Sequence, residues 1–465
     1  MRLSTIFYSI SFVATLLFSG NITAQQIKTV QVPSASPGDW EVLEKLQNDG
    51  LSKDVLQMLD KIIEKSIQAN NGPEFFKALQ KYPEAVSMSL LEAEEKQAIL
   101  VKFQQMSAKL EAPLSNLMHL FLAEQLSNYQ YEWGLMWEDY AINFSINGKT
   151  IVFSNNDEKS QKEVIDFHRN KSMENKELVQ RISLKEYANS IGITEIYYLE
   201  RPWLFDLLAE HQLAYLTRDA DGKSVSPDSL WFDPSETFLS ASRNEILALY
   251  QELELFHWRK KEMDAYVFNT LLRLQYVKNL FEAGPGVKAR YDYALSWLSQ
   301  RLGNDPAVLN VILAQADVLA SEGQSYHWKN NPSHKDKNAQ AVELLQQGLQ
   351  KYPASLYVGM VKQRLQMLMS SNLDLRFVQQ TRLEHPDLLS ISYRNVPEAY
   401  LTVYHIRSQP KKSGANHLKG YELTVVHEQK LDLDTQGKYN NHTKDFIIPA
   451  WKNPGSYLVL VTPSR

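Results

Sequence analysis

The sequence predicts an α+β multidomain protein: an irregular helical array followed by a partial β-sandwich. Three observations carry that class. Apolar residues recur at helical spacing from residue 39 to about 370. They alternate at strand spacing from 386 to 465. A chain of 465 residues that is 44% hydrophobic holds enough apolar surface for two or three cores.

The elements follow in order. Residues 1–24 read as an export signal: Arg2 precedes an apolar stretch from Ile6 to Phe18, and small and polar residues lead to cleavage after Ala24. The apolar run is shorter than the roughly 20 residues that span a bilayer. No integral membrane segment is expected after cleavage, and the destination is the periplasm or another cell-envelope compartment. Residues 25–38 form a linker rich in Ser and Pro.

The helical array occupies 39–370. In SKDVLQMLDKIIEKSIQAN, Val55, Met58, Leu59, Ile62 and Ile63 make one stripe and charged residues cover much of the rest. Ser52 is the expected N-cap, and Asn70-Asn71-Gly72-Pro73 ends this helix and opens the next. A β-hairpin near 142–153 interrupts the array, because Asn147-Gly148 separates two short alternating runs. Beyond it, RPWLFDLLAEHQLAYLTR returns to helical spacing, and a polar insertion from Asp219 to Asp233 follows. NEILALYQELELFHWRKKEMDAYVFNTLLRLQYVKNLF and YDYALSWLSQRLGNDPAVLNVILAQADVLASEG are again helical in period. NAQAVELLQQGLQKYPASLYVGMVKQRLQMLMSS repeats a helix, turn, helix unit of tetratricopeptide-like character, yet no regular period of about 34 residues runs through the chain.

From 386 to 465, LLSISYRN, EAYLTVYHI, YELTVVHEQKLDL, TKDFIIPA and GSYLVLV read as five strands of a partial β-sandwich. In the last, Tyr457, Val459 and Val461 alternate with Leu458 and Leu460. Its edge is expected to be open to pairing.

Composition excludes much chemistry. The absence of Cys removes disulfides, thiolate nucleophiles and cysteine-ligated metals. The formal net charge of −5, from 49 basic and 54 acidic residues, gives no general attraction to nucleic acid. The basic run Arg259-Lys260-Lys261 is flanked by Glu252, Glu254, Glu262 and Asp264, and reads as a solvated helical face. No nucleophile elbow, phosphate loop, dinucleotide fingerprint or zinc helix occurs. Gly284-Pro285-Gly286 is a loop. His327, His334 and Asp336 make a weak metal-like grouping, and Lys329, Lys335 and Lys337 beside them disfavour a cation. His211 and His257 read as packing residues. Tyr129, Tyr131, Trp133 and Trp137 read as core aromatics with a partner surface as the alternative. No catalytic, cofactor-binding or metal residue is assigned, and no enzyme activity or cofactor is expected.

Several strings together resemble a known family. WEVLEKLQNDGLSKDVLQMLDKIIEKSIQANNGPEFFKALQ, PLSNLMHLFLAEQLSNYQ, RPWLFDLLAEHQLAYL and AVELLQQGLQKYPASLYVGM, followed by SYRNVPEAYLTVYHI and FIIPAWKNPGSYLVLV, resemble the N-terminal region of Bacteroidetes-type alpha-2-macroglobulin-like cell-envelope proteins. The resemblance implies that the sandwich is macroglobulin-like and that the chain is a noncatalytic cell-envelope binding or scaffold protein related to protease inhibitors. The alternative it leaves is a protease-inhibitor segment of a larger or split assembly. The implied partners are another protein, downstream macroglobulin domains or a protease. The family's thioester needs a Cys-x-Glu-Gln motif, and Val426-His427-Glu428-Gln429 has no sulfur to offer.

Overall fold

A computed structural model describes residues 37–128, 140–219, 244–281, 286–327, 329–377, 384–408, 421–433, 438–450 and 453–463. It is an α+β protein of helices and small antiparallel sheets, in two compact units that divide after Ser89.

The first unit holds α1 (Pro37–Asn48), α2 (Ser52–Gln68) and α3 (Gly72–Met88). The α2 stripe buries Leu59, Ile62 and Ile63, and α3 buries Phe75, Phe76 and Leu79. Asn71 caps α3 by accepting the Glu74 N–H at 3.2 Å, with Pro73 in the first turn. Ser52 is not the cap of α2: it lies inside the helix and its Oγ donates to the Met88 carbonyl at 3.1 Å. Helix α3 also runs through Pro83. Proline removes one N–H, but burial of Ala85 and Val86 rewards the extra turn.

The second unit begins with α4 (Ala93–Ser107) and α5 (Leu114–Ser127). Helix α5 is buried on almost every side, from Leu114 through Leu117, Phe121 and Leu126, so it is the central rod of its layer. Strands β1 (Ala141–Ile146) and β2 (Lys149–Ser154) form the expected hairpin. Asn147 and Gly148 have φ of 51° and 76°, the two positive angles a type I′ turn demands. The hairpin buries Ile142, Phe144 and Ile146, and Gln104 of α4 donates to the Ser145 carbonyl at 2.6 Å. Helix α6 (Glu158–Ser172) follows, capped by Asp157.

Short helical turns, including Glu195–Glu200, lead to α7 (Leu204–Asp219). The pairs α8 (Glu245–Lys260) with α9 (Met263–Leu280), α10 (Val287–Leu302) with α11 (Val308–Gln324), and α12 (Lys337–Lys351) with α13 (Val358–Met369) complete the array. One continuous core joins them, containing Leu247, Leu274, Leu298, Leu309, Leu345 and Val361.

The sandwich has six described strands, not five, and starts earlier than 386. The additional strand β3 (Asn372–Phe377) pairs antiparallel with β4 (Asp387–Arg394), which pairs with β7 (His442–Ile448). The NLDLRF string alternates Leu373, Leu375 and Phe377 toward the core but lies directly after a helix, where its period is easily absorbed. The second sheet has the order β6-β5-β8, from Glu422–Asp432, Glu398–Ser408 and Ser456–Thr462. Leu389, Ile391, Leu401, Val403 and Ile448 fill the core between the sheets.

Two polar clamps tie the sandwich to the last helices. Asn338 Nδ2 donates to Asn440 Oδ1 at 2.8 Å, and Asn440 Nδ2 donates to the Lys335 carbonyl at 2.7 Å. Asn395 donates to the Leu368 and Ser370 carbonyls, and Arg394 reaches Ser370 as well.

Candidate functional site

Two buried histidine centres lie in the second unit. The first is built where α7 begins beside the end of α8. Asp206, in the first turn of α7, accepts the Trp203 N–H at 2.9 Å, the geometry of an acidic residue reaching back to a helix start. His257 lies in the last turn of α8 and is fully buried. Its Nε2 lies 2.7 Å from Asp206 Oδ1 and its Nδ1 lies 2.8 Å from Glu262 Oε2. The Trp203 indole donates to both Glu262 oxygens at 3.0 Å.

The charges of this centre are mutually determined. Burial disfavours an imidazolium, but hydrogen bonds to Asp206 and Glu262 outweigh it and push His257 up to about 9. Burial raises the Asp206 carboxyl above its usual range despite the His257 contact. Burial also acts on Glu262, yet its hydrogen bonds from His257 and Trp203 hold it below the ordinary value. The three groups are coupled, so their titrations belong to the centre as a whole. Both ring nitrogens are occupied and no edge of the ring meets solvent, so His257 has no lone pair to offer a substrate.

The second centre lies between α5 and α6, under the hairpin. His119 Nδ1 and His168 Nδ1 are 2.8 Å apart, so one ring donates and the other accepts. Phe144 and Phe167 pack edge-on against His168, with ring centroids at 6.2 and 5.2 Å. Burial holds His119 down at about 4 and His168 at about 3. These imidazoles are neutral at physiological pH.

The residues singled out in the sequence fall elsewhere. His327 Nδ1 accepts the Lys329 and Asn330 N–H groups at 3.2 and 3.3 Å, whereas His334 Nδ1 meets Ser325 Oγ at 2.8 Å, so the two rings serve separate local bonds. Among the described residues no group of three His, Asp or Glu is arranged to hold a metal ion. His211 pairs with Glu124 at 2.5 Å at a partly exposed surface. The basic run is more than a solvated face: Lys260 Nζ stands 3.3 Å above the Trp203 ring and donates to the Gln180 carbonyl, while Lys261 takes a left-handed cap with φ of 61°. The aromatic group from Tyr129 to Trp137, and the polar insertion beyond Asp219, lie outside the described residues.

The sandwich offers a different kind of site. Cross-strand register places Tyr404 beside both Leu458 and Val425, Thr402 beside Leu460, and Ile406 beside Leu423, on the face opposite the core residues Val403 and Val459. The outer face of the β3-β4-β7 sheet instead carries Asp374, Ser390, Ser392, Thr443 and Asp445, with one apolar pair, Leu388 and Ile447, at its end. Alternation sets Tyr457, Val459 and Val461 apart from Leu458 and Leu460 without saying which set faces outward. Only register could add Tyr404, Ile406, Leu423 and Val425.

No protein-family model matches the chain, and no curated protein matches it.

Proposed function

We propose that this chain is a noncatalytic binding or scaffold protein of the exported cell envelope, related to the macroglobulin protease inhibitors, with a tetratricopeptide-like array presenting a macroglobulin-like sandwich. The observation that carries the reading is the apolar outer face of the β6-β5-β8 sheet, centred on Tyr404, Leu458 and Val425. An apolar face of this kind on a folded domain marks a contact surface. The asparagine clamps at Asn338 and Asn395 hold it against the helices, so a partner meets a preorganised surface. The closed His257 centre supports the noncatalytic half of the reading.

Site-specific photocrosslinking in intact envelopes tests it. A crosslinker at Leu458 should trap a defined protein, while one at Ser390 on the polar face should not. Equal labelling at both positions, or none at Leu458, contradicts a dedicated docking face. Reversible inhibition of a protease by the purified chain would move the role to that of an inhibitor segment.

A further inference from the structure

Arg169 stands out among the buried groups of the molecule because its hydrogen-bonding capacity is unspent. It lies near the end of α6, 9% exposed, with its guanidinium stacked 4.6 Å from the Tyr215 ring of α7. Its Nε and Nη1 are buried and make no hydrogen bond. The one carboxylate recorded within ion-pair range of it among the described residues is Asp166, at 3.4 Å from Nη2, and Asp166 is also approached by Lys162 at 3.7 Å. A guanidinium carries five donors and is always charged, so burying it with a single long contact leaves a large desolvation cost uncompensated.

Two further cations stand nearby. Lys162 and Arg218 each stand 5.9 Å from the same Tyr215 ring. Lys162, Asp166 and Arg169 recur at helical spacing along α6, while Tyr215 and Arg218 are one turn apart on α7, so three cations approach one aromatic ring with Asp166 offsetting one of their charges. Gln212, one turn before Tyr215, has a buried side-chain oxygen that likewise accepts nothing.

We infer that Arg169 anchors an oxyanion-binding site between α6 and α7, which takes a phosphate or carboxylate group of a ligand. The planar guanidinium suits either group, and Lys162 and Arg218 add positive potential at the Tyr215 ring. This inference is independent of the docking face and of the proposed scaffold role.

Thermal unfolding and calorimetry of the full chain test it, with inorganic phosphate and acetate as probes against sodium chloride at matched ionic strength. The wild-type midpoint should rise saturably with phosphate, acetate or both. The arm that responds assigns the anion. Arg169→Gln should weaken that binding by roughly tenfold or more. The same substitution should leave the anion-free midpoint level or higher, because an uncompensated buried charge has gone. Lys162→Gln with Arg218→Gln, both toward the more exposed side, should weaken binding without touching the core and serves as the second variant if Arg169→Gln does not fold. The site is refuted if neither oxyanion shifts the midpoint beyond chloride, or if Arg169→Gln responds as the wild type does. A lower anion-free midpoint with unchanged binding would assign Arg169 to internal hydration instead.

Discussion

The two histidine centres are both buried, yet the rings of one are neutral and the ring of the other is cationic. Between α5 and α6, His119 and His168 meet each other and aromatic rings and have no carboxylate bonded to either ring among the described residues, so desolvation decides and both stay neutral. Between α7 and α8, His257 meets a carboxylate on each nitrogen, so pairing overrides the same desolvation and the ring is an imidazolium. Burial sets the scale of a pKa shift, and the partners set its sign. Each centre is a polar strut between helices, and both nitrogens of His257 are engaged by carboxylates.

The difference yields opposite pH dependences. An unfolded His titrates near 6.5. His119 and His168 titrate lower in the folded state, so their contribution is complete above about pH 6.5 and is lost as pH falls toward 4 and 3. Two such groups cost about 3 kcal/mol of stability per pH unit between about 6.5 and 4. That is the largest effect expected. Urea unfolding followed by circular dichroism should show it, and the double variant His119→Leu, His168→Leu should shift the acid transition lower by about one pH unit or more. An unchanged transition would break the comparison.

His257 runs the other way. Its folded pKa is raised, so its contribution is complete below about pH 6.5 and is lost as pH rises through about 9. At neutral pH, His257→Ala should cost about 3–5 kcal/mol, because Asp206 is left buried without its partner. The loss should shrink measurably between pH 7 and 9.5 in parallel denaturant titrations; a constant difference would mean that the ring is not charged.

Two smaller substitutions sharpen the contrast. Glu262→Gln keeps an acceptor for His257 and for Trp203 but removes one charge at a half-buried position, so a cost of about 1–2 kcal/mol and a lower His257 midpoint are expected. His211→Ala removes an ion pair in which both side chains are about a third exposed, so its effect should stay within about 1 kcal/mol in the same unfolding assay. A larger loss at His211 than at Glu262 would show that burial does not order these sites.

The helices and the hairpin were legible because their signals are local. Val55 to Ile63 state a period, and Asn147-Gly148 states a turn, within a few residues each. Strand β3 was missed because six residues directly after a helix carry too little period to stand apart, and its pairing with β4 supplies the missing information. Pro83 shows the converse: a residue that locally disfavours a helix is carried inside α3, with Val86 buried beyond it. The sequence showed His257 as a packing residue, and it is fully buried, but its charge depends on Asp206, 51 positions away. The only local traces were Asp206 three residues after Trp203 and Glu262 five residues after His257. Likewise, the alternation of Leu458 with Val459 was visible, whereas which of them faces outward, and the neighbour Tyr404, were set by sheet register and packing.

Imidazole nitrogen shifts recorded by NMR across pH 3 to 10 test the central claim most directly. The account predicts His257 fully protonated at pH 7 and titrating near 9, with His119 and His168 neutral down to about 4 and sharing one Nδ1 proton. A neutral His257 at pH 7, or midpoints near 6.5 for the His119 and His168 rings, would contradict it.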